Sequence, residues 1–382
     1  MTLSADVFPP TRTHALERAA RIEPERYALT RNFLSGEVTR LSPYITHGLL
    51  TIPELLASIH VRHPLGWDDK LAFEFGWREY FHHVWMRLGE GIWNEPHAAP
   101  AKAYADQLPD DIRTASTGVA IIDQQVRALY RTGYLHNHAR MWIASYVVHI
   151  RKVSWQTGAN WMYPHLLDGD MASNTLSWQW VAGTWTGKPY LFNAENVARY
   201  APGVDCSGSV IDQTYEALDA VSRGSLPART PPRLGIEPTT EPALLCAPID
   251  IHADAATVVA PHVAWLMHPW SLHLPDERPA GGVINTDFHI QYPWSGARWQ
   301  FVMSAMKSRC VTVLVGTTDE LARTLFAHQL AAIDTPNPFY NELIARVAPN
   351  AQAAPRAFGN PTMLKRSFTS FWNQVRRDRF PV

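Results

Sequence analysis

Apolar residues recur at helical spacing through most of the first half of the chain. The pattern predicts a long helix over residues 68–90, a short amphipathic helix over residues 14–26, and two helices over residues 119–131 and 135–152 separated by a turn at Gly133. In the long helix, the positions available for burial are Leu71, Phe75, Tyr80, Val84 and Leu88. This half of the chain is therefore predicted to be helical.

A different pattern begins after residue 242, where short apolar runs alternate with helical segments. The runs that suit buried strands lie within residues 243–251, 262–270, 281–287 and 309–316. The helical segments are residues 295–306, 318–330 and 337–347. Alternation of this kind is typical of an α/β layer.

A Pro-rich stretch over residues 222–242 separates the two patterns and is predicted to be a linker. The fold class expected is therefore α plus α/β, with an all-helical domain over residues 1–221 followed by a smaller C-terminal α/β domain over residues 243–382. With 382 residues, 46% hydrophobic and 18% charged, the chain is long enough for two domains and a large core.

The charge balance bears on possible partners, since 34 basic residues face 35 acidic ones and the net charge is −1. Contact with nucleic acid would have to come from a local patch. The best candidate is residues 356–379, where aromatic residues alternate with the basic residues Arg356, Lys365, Arg366, Arg376, Arg377 and Arg379. The competing interpretation is an amphipathic terminal helix over residues 367–377, docked by its aromatic face.

Cysteine usage and apolar runs bear on location. The 3 cysteines are too few and too scattered for a disulfide framework or a zinc site, which fits a reducing, cytoplasmic location. The N-terminus lacks a signal-peptide pattern, and the longest apolar run, residues 141–150, is about half of a membrane span. His136, Asn137, His138 and Arg140 cluster at the start of a predicted helix, but adjacent residues point to different faces and no carboxylate pair accompanies them at ligand spacing, so no metal site is expected. The short apolar run gives no reason to expect a membrane contact either.

Polar residues follow a helical stripe in the segment that begins at Asp168. Asp170, Asn174 and Trp178 fall at i, i+4 and i+8, which places a carboxylate, an amide and an indole on one face. Burying such groups is costly unless they form hydrogen bonds, so the stripe suits a flat polar ligand such as an isoalloxazine ring. The alternative is a helix N-terminus, with Asp168 or Asp170 as its cap and the Trp residues as core.

Two further segments carry candidate chemistry. Thr39, Arg40 and Ser42 lie at a loop-to-helix junction that could hold a phosphate, although capping by Ser42 would also explain them. Glu74 stands among aromatic residues on the long helix. It is either an acceptor facing a ligand or a solvated partner of Arg78 at i+4.

Four motifs in order resemble the FAD-binding helical domain of the photolyase and cryptochrome family. They are TRLSPYITHG, FEFGWREYFHHVW, TGVAIIDQQVRALYRTGYLHNHARM and LLDGDMASNTLSWQWVAGT, within about residues 10–205. The resemblance implies a folded FAD inside an all-helical domain. It also implies a blue-light reaction in which reduced FAD passes an electron to a pyrimidine dimer and splits it.

The resemblance also assigns residues by position. The cofactor-binding residues it implies are Tyr27, Thr39, Arg40, Leu41, Ser42, Arg78, Asn137, Arg140, Asp168, Asp170 and Asn174. The lesion-binding residues it implies are Glu74, Trp77, Asn137, His138, Met141 and Trp180. Within these sets, Arg140 and Asp168 match an ion pair beside the flavin, and Asn174 matches the residue that faces flavin N5.

Trp178 and Trp155 match the first two indoles of the family's photoreduction chain, whereas a third is not evident, with only Trp93 and Tyr104 near in sequence. Glu74, Asn174, Trp178 and Trp155 are thus the implied catalytic set. Two positions depart from the family pattern. Val38 stands where many members carry a hydroxyl, and His138 replaces an arginine and leaves a pH-dependent charge.

The function expected is that of a light-driven DNA photolyase-like lyase with FAD as cofactor and damaged DNA as partner. The alternative is a cryptochrome-like flavin photoreceptor that signals through a protein partner without repair. Only a few residues precede the helical domain, where the family places an α/β antenna domain. The C-terminal α/β domain is therefore expected to stand in its place, and an all-helical packing there would exclude that hypothesis.

Overall fold

A computed structural model describes residues 7–224, 227, 237–248, 263–326 and 330–382. The chain divides into two compact units. Unit 1 comprises Met1–Ile22, Thr39–Gly89 and Ala243–Val382, and unit 2 comprises Glu23–Val38 and Glu90–Pro242. The division into a helical domain over residues 1–221 and an α/β domain over residues 243–382 stays a prediction. Most of the predicted linker between them lies outside the described residues.

The helices and strands follow one another along the described chain. The helices are α1 Arg12–Ala19, α2 Pro24–Thr30, α3 Ser42–Thr46, α4 Ile52–His60, α5 Lys70–Leu88, α6 Asp110–Arg113, α7 Ala120–Thr132, α8 Asn137–Ser145, α9 Trp155–Met162, α10 Met171–Ala182, α11 Ala194–Tyr200, α12 Tyr215–Arg223, α13 Thr286–Gln291, α14 Gly296–Lys307, α15 Thr318–Leu325, α16 Pro338–Val347 and α17 Phe368–Val375. The strands are β1 Leu244–Leu245, β2 Trp265–Met267, β3 Ala280–Asn285, β4 Trp294–Ser295, β5 Cys310–Gly316 and β6 Ala331–Ala332. Gly89–Trp93 and Tyr163–His165 are 3-10 turns, and Tyr146–Ile150 is a π turn that continues α8.

Unit 1 contains a four-stranded parallel sheet in the order β5-β3-β2-β6. The side chains of β2 and β3 are buried throughout, as expected for a parallel sheet covered on both faces. A Cβ on Gly282 of β3 would lie 3.0 Å from Val313 of β5, so the missing side chain makes room for that valine. The α/β layer predicted from the alternating pattern is confirmed as a parallel sheet with helices.

Some of the predicted element positions are corrected. Residues 243–251 yield only β1, which pairs antiparallel with β4 and leaves Leu244 exposed, while residues 249–251 lie outside the described residues. The predicted helix over residues 318–330 ends as α15 at Leu325. The segment over residues 14–26 breaks into α1 and α2, because Pro24 cannot continue a helix and instead begins the second one.

Helix α5 packs against the terminal helix α17 through aromatic rings. Phe368, Phe371 and Trp372 of α17 are buried, and the Trp372 ring contacts Phe73 at a centroid distance of 5.6 Å. A Cβ on Gly76 would lie 2.3 Å from Trp372 Cζ3, so only glycine allows this approach. The competing interpretation of residues 367–377, an amphipathic helix docked by its aromatic face, is therefore correct for the helix itself.

A buried carboxylate holds the chain segment that leads to α17. Glu79 of α5 accepts hydrogen bonds from the backbone N–H groups of Ala357 at 2.7 Å and Phe358 at 3.0 Å, and it pairs with Arg356 at 3.3 Å. Burial raises the pKa of Glu79 despite the Arg356 charge. Arg356 is thus committed to a buried pair, and its prediction as a phosphate-contacting residue is wrong.

Unit 2 is helical around a core shared by α7 to α10. The predicted helices over residues 119–131 and 135–152 correspond to α7 and to α8 with its π turn, and Gly133 between them has a φ of 65°. The core includes Trp142, Ile143, Val147, Trp155 and Trp178, all buried. These elements position the polar stripe of α10.

We expect Gly76→Ala to destabilise the protein by about 1–3 kcal/mol, because the new methyl group would overlap the Trp372 ring. The matched control is Gly296→Ala at the start of α14, where an added Cβ meets nothing within 4 Å. Chemical denaturation of both variants would check this. Equal midpoints for the two variants would contradict the tight α5–α17 contact.

We expect the protein to lose stability on acidification, in part through His149. This imidazole is fully buried, it donates from Nε2 to the Val181 carbonyl at 2.9 Å, and burial lowers its pKa from 6.5 to about 4. Between those two values the unfolded chain binds a proton that the folded chain does not, so stability falls as the pH drops through this window. His149→Gln retains an N–H donor without titrating. In this variant, the free energy of unfolding measured by denaturation should decrease less between about pH 7 and about pH 4.5 than in the native protein. The same pH dependence in both proteins would exclude His149 as a contributor.

Candidate functional site

The start of α10 carries the predicted polar stripe. Asp170 is the N-cap of the helix, and its Oδ1 accepts from the backbone N–H of Ser173 at 2.8 Å. Asn174 Nδ2 donates to the Ala159 carbonyl of α9 at 3.0 Å. Both side chains are buried. The capping alternative is therefore correct for Asp170, while Asn174 is a buried amide whose hydrogen bond joins two helices.

An ion pair anchors the loop that precedes this helix. Arg140 Nη2 lies 2.7 Å from Asp168 Oδ2, and Arg140 Nε donates to the Leu135 carbonyl at 3.0 Å. The Asp168 side chain is 3% exposed and that of Arg140 is 25% exposed. The pairing expected between these two residues is present, and its place beside a flavin stays a prediction.

The turn at Gly133 brings the two halves of this ion pair together. The backbone N–H of Leu167 donates to the Gly133 carbonyl at 2.7 Å, next to Asp168. A Cβ on Gly133 would lie 2.6 Å from Leu167 Cγ. The close approach and the positive φ at this position both require glycine, which fixes the loop against the start of α8.

The donor set around residues 168–174 has the chemistry that a flavin edge needs. It combines a guanidinium, two carboxylates and an amide, which supply both hydrogen-bond donors and acceptors. The Ser173 hydroxyl, on the same turn as Asp170 and Asn174, is buried and forms no hydrogen bond with the described residues. A buried hydroxyl without a partner is costly, so this turn suits a polar ligand, and the residues present fit FAD.

The first turn of α8 carries three of the implied lesion-binding residues. Asn137 is exposed and lies 3.7 Å from Met141 Sδ through its Nδ2. His138 packs between the Trp142 ring at 5.2 Å and the Tyr200 ring at 4.9 Å. Burial, with a smaller effect of the Arg31 charge, lowers the pKa of His138 to about 4. Its ring is thus neutral at physiological pH, and the switchable charge expected there titrates well below that range.

Trp178 and Trp155 lie in the same buried core. Trp178 of α10 packs on α9 at Gly158, where a Cβ would lie 2.2 Å from Trp178 Cζ3. Trp155, on the first turn of α9, donates from Nε1 to Glu95 Oε1 at 2.7 Å. Trp93 stacks on Trp155 with ring centroids 5.7 Å apart and planes 9° from parallel. The sequence shows only that Trp93 lies near this part of the chain. In the structure it contacts Trp155, the second indole implied by the family resemblance. Trp180 instead contacts the Tyr190 ring, at 5.8 Å.

The implied phosphate-binding residues are divided between the units. Thr39, Arg40, Leu41 and Ser42 belong to unit 1, and Tyr27 lies on α2 of unit 2. Arg40 is exposed with a φ of 50°. Ser42 is the first residue of the short helix α3, whose N-cap is Leu41 without a side-chain hydrogen bond. Capping by Ser42 is therefore the wrong explanation for this segment.

The remaining implied residues lie on α5 in unit 1. Glu74 pairs with Lys70 at 3.0 Å, one turn earlier on the helix, and Lys70 Nζ lies 4.2 Å from the Phe73 ring centroid. Trp77 stacks on Phe368 of α17, with centroids 4.1 Å apart and planes 10° from parallel. Arg78 lies one residue further along and is half-buried. One face of the Trp77 ring is thus covered by the terminal helix.

Sequence reasoning missed the residues that are joined only by the fold. Glu95 contacts Trp155, which is 60 positions away in the chain. Phe368 contacts Trp77, which is about 290 positions away. Glu241, at the end of the predicted linker, pairs with Arg113 at 2.8 Å and lies 3.0 Å from His165. No spacing in the chain signals these contacts, because each depends on tertiary packing.

The described part of the chain offers neither a metal-ligating cluster nor a membrane-spanning helix. Across those residues, no group of three or more His, Cys, Asp or Glu side chains is placed to hold a metal ion. None of the helices described combines the length and the apolar character needed to cross a bilayer.

Comparison with known proteins connects this geometry to a family. Residues 71–232 match the family model of the FAD binding domain of DNA photolyase. A deoxyribodipyrimidine photo-lyase of Streptomyces griseus is 33% identical over 210 residues, which are 50% of this chain and 46% of the relative. A cryptochrome DASH of Ostreococcus tauri is 29% identical over 204 residues, covering 51% of this chain and 37% of the relative.

A solved structure, the bacterial class III photolyase from Agrobacterium tumefaciens, is 24% identical with a TM-score of 0.46, covering 62% of this chain and 54% of that one. The chain spans about half the length of the curated relatives it matches. The matched region contains α7 to α10 and the buried polar set around residues 168–174. Through residues 71–232, the chain is therefore similar to the FAD-binding domain of photolyases and of a cryptochrome DASH.

Proposed function

We propose that the protein is an FAD-dependent, blue-light-driven DNA photolyase-like lyase that splits cyclobutane pyrimidine dimers. When bound, reduced FAD would supply the electron that light delivers to the dimer. The observation that supports the proposal best is the buried set of Arg140, Asp168, Asp170 and Asn174 within the region that matches the FAD-binding family model.

Asn174 has the orientation that its proposed role requires. The Ala159 carbonyl can only accept a hydrogen bond, so the Asn174 NH₂ group must face it. The amide oxygen is then the atom left to accept from a protonated ring nitrogen of the cofactor. Arg140 and Asp168 would hold the flavin edge, and Tyr27, Thr39, Arg40, Leu41, Ser42 and Arg78 complete the proposed cofactor-binding set.

The proposed lesion-binding residues are Glu74, Trp77, Asn137, His138, Met141 and Trp180. Glu74 would accept a hydrogen bond from the pyrimidine edge, for which its pairing with Lys70 must open or be shared. Phe368 covers one face of Trp77, so a flipped base would pack on the remaining surface of that indole. Extruding a damaged base costs a few kcal/mol, less than for an intact pair, which favours the lesion.

The C-terminal helix α17 and its flanking residues in unit 1 would contribute the phosphate contact. Arg366, Arg376, Arg377 and Arg379 are exposed around α17, and Arg376 lies 3.4 Å from the exposed Asp68. Exposed pairs of this length contribute little, so these side chains are available to a phosphate backbone. The parallel sheet is also consistent with an α/β domain standing in place of the antenna domain, and a cytoplasmic location completes the proposal.

The second candidate is a flavin photoreceptor that signals through a protein partner. Three observations favour it: the net charge of −1, the Glu74–Lys70 pair and the neutral His138, which removes a cation from the expected DNA-facing helix. This candidate uses the same flavin-binding residues. The two functions therefore separate only in an assay of repair.

Repair is tested with a thymine-dimer oligonucleotide and purified, chemically reduced protein, in blue light and in darkness. We expect light-dependent loss of the dimer, measured by chromatography of the bases. Glu74→Ala should abolish this repair activity, because the hydrogen-bond acceptor for the lesion is removed. The matched control is Glu342→Ala, which removes an exposed carboxylate 3.8 Å from Arg346 in the same unit. A fully flavin-loaded protein that repairs nothing would favour the photoreceptor.

The role of the Arg140–Asp168 pair is tested with a double-mutant cycle. Arg140→Met should cost about 3–5 kcal/mol and reduce bound FAD, because it leaves the Asp168 carboxylate buried without its guanidinium. Arg140→Met combined with Asp168→Leu should recover much of the stability and still bind little FAD. Denaturant midpoints and flavin absorbance per protein are the two measurements. A stable double variant that retains full FAD would show that the pair is structural only.

A further inference from the structure

The two edges of the parallel sheet in unit 1 end differently. At one edge, β6 has only two residues, and the chain at Gln352 lies along it. The Gln352 N–H donates to the Ala332 carbonyl at 2.8 Å, and the Asp334 N–H donates to the Gln352 carbonyl at 2.8 Å. The chain itself therefore closes this edge. The opposite edge is β5, which pairs with β3 alone in the part of the chain that the structure describes.

Strand β5 has unpaired backbone groups along its outer side. It has seven residues and is the longest of the strands described. The N–H and C=O groups of alternate residues in a strand point to opposite sides, so β3 can bind only one set of them. Within the described ranges, no hydrogen bond reaches the other set. Such a row of donors and acceptors is able to pair with another strand.

The side chains of β5 give this edge little protection. Exposed edges of native sheets commonly carry charges, prolines or bulges that prevent pairing. The sequence of β5 is CVTVLVG, without a charge or a proline, and Val311 is 58% exposed. A bulge lies at Val311, since the register there advances by two residues on β5 and by one on β3. Residues 312–316 then pair with β3 in unbroken register, so this part of the edge is available.

Charges of opposite sign flank the strand. Lys307 precedes it, is exposed and forms no ion pair with any described residue. Arg309 is already engaged, because its guanidinium donates to two main-chain carbonyls. Asp319 and Glu320 follow the strand at the start of α15, and both are exposed. Residues 310–318 carry no formal charge, so an apolar strand runs from a basic end to an acidic end.

This polarity bears on which partner strand fits. A second copy of β5 in antiparallel orientation places the basic end of each copy beside the acidic end of the other. The two contacts are then identical by two-fold symmetry. In a parallel orientation, like charges would meet at both ends. An unrelated extended peptide would need the matching polarity, whereas a second copy of this chain already has it.

We propose that β5 forms a homodimer interface in which residues 312–316 of two copies pair antiparallel. The pairing joins the two four-stranded sheets into one continuous sheet and satisfies the outer backbone groups of both strands. Because five residues cover a small area, the dimer is weak and forms as the protein concentration rises. The interface lies in unit 1 and uses no residue of the proposed flavin or lesion sites.

Sedimentation equilibrium of the full chain, from about 1 μM to about 100 μM, tests the interface with a charge swap. Lys307→Glu and Asp319→Lys should each raise the dimer dissociation constant about tenfold, because like charges then meet at both ends. An equimolar mixture of the two variants should dimerise as the native protein does, since opposite charges meet again. Arg21→Glu is the matched control, at an exposed position after α1, and should leave the equilibrium unchanged.

The denaturation midpoints of the variants are measured at the lowest concentration and should match that of the native monomer closely. Asp319→Lys gives up only an exposed pair with Arg346, which contributes little. A native protein that stays monomeric over the whole range would overturn the proposal. So would a mixture that dimerises no better than either variant alone, because antiparallel pairing requires the charges to complement each other.

Hydrogen exchange locates the contact in the native chain. Amides on the outer side of a free edge exchange rapidly, and pairing with a second strand protects them. The peptide that covers residues 310–316 should exchange more slowly at about 100 μM than at about 1 μM in the native protein, but equally fast at both concentrations in Lys307→Glu. A dimer that leaves this peptide unprotected would place the interface elsewhere and overturn the proposal.

Discussion

The ion pair between Arg140 and Asp168 is the interaction on which the site in unit 2 depends. Its carboxylate is buried, so the guanidinium must remain within hydrogen-bond distance for the loop to keep its position. That loop leads directly into Asp170, whose carboxylate caps α10 and starts the helix at the right residue. Asn174 and Trp178 follow at one and two turns. The charge pair, together with the contact between Gly133 and Leu167, thus holds the loop from which the polar stripe begins.

Close helix packing is the second constraint, and glycine supplies it in both units. Gly158 allows the Trp178 ring onto α9, and Gly76 allows the Trp372 ring onto α5. In each case a large indole occupies the space that a side chain would fill. The positions of these rings therefore depend on the absence of a methyl group on the opposite helix, both in the core of unit 2 and where α17 packs on α5.

Local patterns in the sequence were sufficient for much of the fold. The long helix α5, the turn at Gly133 and the α/β alternation after residue 242 follow from periodicity and from glycine. Pro24 also marks the break between α1 and α2, because proline cannot continue a helix. The Arg140–Asp168 pair was anticipated through family resemblance, since 28 positions separate the two residues and no periodicity relates them.

The contacts that were not predicted share one cause, which is that they join segments far apart in the chain. Arg356 reads as an available cation until Glu79, 277 positions away, is seen to bind it. Trp93 reads as an isolated indole until it stacks on Trp155. Charge and residue type are visible in a sequence, but whether a group is already engaged depends on tertiary structure.

Trp77, one of the proposed lesion-binding residues, is also part of the aromatic core that the terminal helix forms with α5. Phe368 stacks on Trp77 through one ring face, so α17 holds the indole in place while restricting what else can approach it. A stacked, immobile ring loses little entropy when it packs against a base, which favours a role as a wedge. The same contact would make a lesion pocket smaller than one with both faces of Trp77 open. In the proposed lesion site, a flipped base would therefore pack on the part of the Trp77 ring that Phe368 leaves uncovered.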